Sequence, residues 1–126
     1  MNPKIMVVDD SPTVREIVKS ILMQAAFEVF TESDSTKAVQ SIKDVSPDLV
    51  ILDIMMPEMD GYTLLRHIRK ERELETLPVI MLSAKSEEGM KDLFSFEGIS
   101  GYLEKPFKDE DLINLVKETL AGRKGL

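Results

Sequence analysis

The chain reads as one α/β domain built on a doubly wound, five-stranded parallel sheet. Three observations predict it. Short apolar runs alternate with segments of helical periodicity five times along the 126 residues. The runs Ile5-Met6-Val7-Val8 and Leu49-Val50-Ile51-Leu52 are apolar throughout, as strands buried on both faces are. Each runs directly into aspartate: Asp9-Asp10 after the first, Asp53 after the second. A connection of helix length between strands makes them parallel, and strictly alternating units put helices on both faces of the sheet.

The first strand is Lys4 to Val8. Ser11-Pro12 then starts a helix, with Ser as N-cap and Pro at the first helical position. Val14, Ile17, Val18, Ile21, Leu22 and Ala25 follow at helical spacing and predict its inner face. Phe27 to Thr31 is the second strand. Ser33 or Asp34 caps the second helix, whose inner face is Ala38, Val39, Ile42 and Val45. Pro47 closes that connection, and the third strand runs from Asp48 to Asp53. Pro57 to Gly61 is a loop. The third helix turns Leu64, Leu65 and Ile68 inward. Pro78 to Leu82 is the fourth strand. A helix over 86–97 is expected but weak, with Gly89 inside it and Gly98 at its end. Tyr102-Leu103 is a short fifth strand. The last helix spans roughly Asp109 to Ala121, with Leu112, Leu115, Val116 and Leu120 inward and Asp109, Glu110 and Asp111 in its first turn.

Composition narrows the function. Hydrophobic residues at 43% and charged residues at 31% fit a soluble globular domain with its own core. The formal net charge of -7 argues against binding nucleic acid or an anionic membrane. Without cysteine there is no disulfide framework, thiolate metal site or thiol nucleophile. No apolar segment is long enough to span a bilayer, and the N-terminus lacks a signal-peptide pattern, so a cytoplasmic protein is expected. Met1 reads as a natural start, and residues 1–126 read as a single domain.

Right-handed crossovers leave few topologies. The order 2-1-3-4-5 sets strands one and three side by side at the switch point, where ligands bind beyond the carboxyl ends of strands. Asp9, Asp10 and Asp53 lie there, with Ser83 expected after strand four and Lys105 after strand five. Three carboxylates in one crevice repel one another unless a cation is present. All-oxygen ligation suits Mg2+, which keeps waters and accepts a phosphate oxygen. A carboxylate, a divalent cation, a lysine and a hydroxyl donor together describe phosphoryl transfer to an aspartate.

The motifs Val-Val-Asp9-Asp10-Ser, Leu-Asp53-Ile-Met-Met-Pro-Glu-Met-Asp-Gly, Ser83-Ala84 and Tyr102-Leu-Glu-Lys105-Pro106-Phe occur in one order along the whole chain. In that order the chain resembles the receiver domain of bacterial two-component response regulators, a flavodoxin-like fold shared with the chemotaxis regulators. The resemblance implies a phosphoacceptor at Asp53. It implies Mg2+, for which Mn2+ can substitute, held by Asp10, Asp53 and the Met55 carbonyl, and by Asp9 largely through water. Ser83, the Ala84 backbone amide and Lys105 would bind the phosphoryl group. Tyr102 would turn inward behind Ser83, and the Lys105–Pro106 peptide would be cis. Met55 and Lys85 would border the path of an attacking water and tune the phosphoryl lifetime. The implied partners are a sensor histidine kinase or histidine phosphotransfer domain and a downstream protein, the chain being a monomer or a phosphorylation-promoted dimer. The signalling face would be the 86–97 helix, the fifth strand and the last helix.

Other readings compete. The chain as a receiver cut from a larger regulator or hybrid kinase stays open. An aspartyl-phosphate phosphatase would want an Asp-x-Asp pair, but Ile54 and Met55 follow Asp53. A flavin- or nucleotide-binding domain would want a phosphate-cradling first loop, and Asp9-Asp10 would repel the phosphate. His67, the single histidine, sits among Arg66, Arg69 and Lys70 and reads as a solvated helix face. Glu97 and Phe94 stand where the family tends to have small residues, so Phe94 or Phe96 is expected to be exposed.

Overall fold

A computed structural model describes residues 2–84 and 99–124. Five parallel strands form one sheet: β1 (Lys4–Val8), β2 (Glu28–Glu32), β3 (Leu49–Asp53), β4 (Val79–Ala84) and β5 (Gly101–Lys105). Their order is β2-β1-β3-β4-β5, the order expected from the sequence. Among the described residues four helices cover it: α1 (Pro12–Gln24), α2 (Ala38–Val45), α3 (Gly61–Lys70) and α4 (Asp109–Lys124). The weak helix expected over 86–97, with Phe94, Phe96 and Glu97, lies outside the described residues.

The buried strands explain the two-layer core. Alternate residues point to opposite faces. Met6, Val8, Val50, Leu52 and Met81 pack beneath Ala38 and Ile42 of α2 and Leu64, Leu65 and Ile68 of α3. Ile5, Val7, Leu49, Ile51, Ile80 and Leu82 pack on the other face, against Val18, Ile21 and Leu22 of α1 and Leu112, Val116 and Leu120 of α4. Leu115 packs at the edge of this second layer.

The helix signals act locally as expected. Ser11 caps α1 by accepting from the Val14 N–H, with Pro12 following it. Of the two candidate caps for the second helix, Asp34 is the one used. It caps a short 3-10 turn, Ser35–Lys37, that leads into α2. Asp60 caps α3 through the Thr63 N–H.

Three expectations need correction. Helical spacing puts Ile17 on the inner face of α1, but it is 51% exposed. The seam of α1 over the sheet is narrow, and Val18, Ile21 and Leu22 fill it. Ser83 does not follow β4 but lies inside it, paired in register with Glu104. Lys105 is likewise the last residue of β5, not a loop residue. Both strands run farther than their apolar stretches because each keeps pairing with the other.

Candidate functional site

The register builds the site. β1 pairs with β3 so that Val8 lies opposite Leu52, and the next residue of each strand is an aspartate. Asp9, Asp10 and Asp53 each offer a carboxylate oxygen, and these oxygens lie within 4.8 Å of one another. Asp9 and Asp53 are buried, at 1% and 7% exposure, while Asp10 is exposed. Across the crevice β5 delivers Lys105, whose Nζ donates to Asp53 Oδ1 at 2.9 Å. β4 delivers Ser83, which is wholly buried. The Ser83 hydroxyl donates to the Tyr102 hydroxyl at 2.7 Å, so the tyrosine is turned in against it. The Lys105–Pro106 peptide is cis. Met55, two residues past Asp53, is 64% exposed. Ala84 closes β4. Lys85 lies outside the described residues.

The loop from Asp53 to α3 is held tightly. The Gly61 N–H donates to the Ile54 carbonyl at 2.8 Å, bringing the start of α3 against the end of β3. A Cβ at Gly61 would lie 2.3 Å from the Asp53 carbonyl oxygen. Ser35, buried after β2, donates its hydroxyl to the Pro57 carbonyl at 3.4 Å. By sequence Gly61 closes the motif that begins at Leu52, without a stated role, and Ser35 does not stand out. The signals for Gly61 are its place at the end of that motif and directly after the Asp60 cap.

Asp9 carries the electrostatic strain. One of its oxygens accepts the Ser11 N–H at 2.9 Å. The other, Oδ2, is buried without a hydrogen-bond partner among the described residues. Burial is the main cause that pushes its carboxyl up to about 6 from 3.8. The Ser11 N–H opposes this, the Asp53 charge adds to it, Lys105 opposes it and Asp10 adds to it. An orphaned buried oxygen beside two further carboxylates is costly unless a cation sits among them. The set therefore fits a hard divalent ion with oxygen ligands.

The sequence and the fold match known proteins. The family model for the response regulator receiver domain matches residues 5–117. Protein PilG of Pseudomonas aeruginosa is 37% identical over 90% of this chain and 84% of its own length. The alkaline phosphatase synthesis transcriptional regulatory protein PhoP of Bacillus subtilis is 34% identical over 95% of this chain. This chain spans 49% of PhoP and 8% of the hybrid signal transduction histidine kinase D of Dictyostelium discoideum. A response regulator structure from Chloroflexus aurantiacus superposes with a TM-score of 0.91 at 35% identity, covering 96% of this chain and 99% of its own. The Vibrio cholerae chemotaxis protein CheY4 gives 0.87 at 28% identity, covering 94% and 99%.

Proposed function

The chain belongs to the response regulator receiver domain family, and from that premise we propose that it accepts a phosphoryl group on Asp53 and signals by a change of surface. The observation that carries this reading is the Asp53 carboxylate itself. It is nearly buried at a strand end, bonded to Lys105 and grouped with two further acids. A carboxylate so placed has one open direction, toward the crevice.

Each residue then has a task. Asp53 is the nucleophile: its carboxylate oxygen attacks the phosphorus of the donor's phosphohistidine as the P–N bond breaks and the imidazole leaves. Lys105 exchanges part of its contact with Asp53 for the oxygens of the phosphoryl group. Asp10, Asp53, the Met55 carbonyl and, through water, Asp9 would hold Mg2+ or Mn2+, which supplies neutralisation of the negative charge of the phosphoryl oxygens. Ser83 leaves Tyr102 or shares it, and the Ala84 N–H completes the anion contacts. The donor is a sensor histidine kinase or a histidine phosphotransfer domain. The histidine kinases among the relatives, one of them named as a hybrid kinase, support such a partner. A downstream protein then reads a face that includes β5 and α4. The protein is a signalling domain whose chemistry is confined to its own phosphorylation and slow dephosphorylation. Its place is the cytoplasm, where the histidine kinase's phosphoryl group would be passed on. Among the described residues no helix is long and apolar enough to cross a membrane.

Incubation with acetyl phosphate and Mg2+ should add one phosphoryl group by intact mass, and Asp53→Asn should abolish the addition. A mass shift of the same size in the variant rules out Asp53 as the acceptor.

The lifetime of that group should be long. An in-line water must be positioned to hydrolyse it, and the Met55 side chain, which would border its path, offers no hydrogen bond. Lys85 would add a charge to hold the phosphoryl oxygens. Met55→Asn combined with Lys85→Glu should speed dephosphorylation at least about tenfold, equal to about 1.4 kcal/mol of barrier. The decay is followed by mass after the donor is removed. An unchanged or slower decay means that neither side chain controls the water.

A further inference from the structure

Arg15 is not among the residues that would touch the metal or the phosphoryl group, yet it reaches back to the site. Its Nη1 donates to the backbone carbonyl of Asp9 at 2.7 Å. The guanidinium is charged, so the bond is stronger than one between neutral groups. Arg15 itself is fixed in the first turn of α1, where its N–H donates to the Ser11 carbonyl at 3.0 Å. The side chain therefore closes a loop from α1 back onto the end of β1.

The Asp9 carbonyl and the Asp10 N–H belong to one rigid peptide plane. Holding the carbonyl sets that plane, and the plane sets where the Asp10 side chain leaves the backbone. Asp10 has little else to aim it. It is exposed, and no side-chain hydrogen bond to it is seen among the described residues. Asp9 is different: burial and the Ser11 N–H already hold its carboxylate. Asp53, Lys105 and Asp10 are charges that act on the Asp9 carboxylate, whereas the Arg15 contact is to the Asp9 backbone carbonyl. Arg15 works here through geometry.

We propose that Arg15 is a positioning residue of the divalent-cation site, which orients the Asp9–Asp10 peptide so that the exposed Asp10 carboxylate faces Asp53. This inference rests on the proposed metal binding by Asp9, Asp10 and Asp53. Its chemistry is that of a ligand held ready before the ion arrives, which lowers the ordering cost of binding.

The test uses the 15N-labelled chain. Amide resonances of Asp10 and Ser11 are recorded without metal, then through a Mg2+ titration. Arg15→Met should move both resonances in the metal-free protein and raise the Mg2+ concentration for half-saturation about tenfold. Arg15→Lys, which keeps a charged donor, should restore most of the affinity. Arg15→Gln, which keeps an uncharged donor, should recover part of it. Unfolding by urea in EDTA accompanies each variant and identifies the folded fraction. Wild-type half-saturation in folded Arg15→Met overturns the proposal. So does a Gln variant that binds as poorly as Met while Lys binds as wild type, because that pattern means charge and not geometry. If Arg15→Met does not fold, the Lys and Gln variants decide between the same outcomes. Should the native chain itself show no Mg2+-dependent shifts, the metal reading fails, and that result is distinct from a failure of Arg15 alone.

Discussion

In metal-free buffer near pH 7.5, Asp9→Asn should raise the unfolding free energy by about 3 kcal/mol, although it removes a residue of the site itself. The sign follows from burial. The folded chain holds the Asp9 proton up to about 6, whereas the unfolded chain releases it near 3.8. Between these values the folded state binds more protons, so stability falls as pH rises. Below the lower value both states are protonated and the penalty is absent. Above about 6 the ionised carboxylate stays buried at full cost. The variant escapes this cost: its amide oxygen still accepts the Ser11 N–H, and its amide nitrogen can donate toward Asp53 or Asp10. Urea unfolding of both proteins in EDTA from pH 4 to 8 should give curves that diverge through the acid range and then run parallel. A constant gap, or a variant less stable at every pH, contradicts the account. Added Mg2+ should stabilise the native chain and close the gap, because a cation bound only by the folded state adds its binding free energy.

The second large effect is at Gly61. Gly61→Ala should cost about 3 kcal/mol, at the upper end for overpacking, and should slow phosphorylation of Asp53. The new methyl carbon would lie 2.3 Å from the Asp53 carbonyl oxygen and 3.0 Å from the Ile54 Cα. Both are backbone atoms at the end of a wholly buried strand, so no flexible side chain can yield. Relief requires α3 or the phosphoacceptor segment to shift, and the 2.8 Å bond from the Gly61 N–H to the Ile54 carbonyl strains with it. Gly122, on α4, is the control. A Cβ there meets nothing within 4 Å, so Gly122→Ala should be neutral or stabilise by up to about 1 kcal/mol through helix propensity. Denaturant midpoints of the two variants, with acetyl phosphate labelling of each, are the measurements. Equal stability of Gly61→Ala and the native chain would refute the clash.

Local chemistry makes the frame legible in the amino-acid sequence. Ser11 with Pro12 caps α1 because the cap needs only its own next three residues. The unbroken apolar runs of β1 and β3 follow from burial on both faces, and their closing aspartates point to the site because parallel strands end at one edge. What lies beyond the sequence requires partners distant along the chain. Ile17 obeys the helical spacing of α1 and still faces outward, since the width of the seam depends on the sheet below it. Ser83 is held inside β4 by pairing with β5; the family resemblance implies Tyr102 behind it, but the bond between them joins two strands and needs the fold. The reach of Lys105 to Asp53 spans 52 positions. Spacing also says nothing of Gly61, whose missing side chain matters only because the end of β3 passes against it. The raised proton affinity of Asp9 belongs to the same class. An aspartate in a turn is ordinary by sequence, and it becomes costly when folding strips its water and sets two other acids beside it.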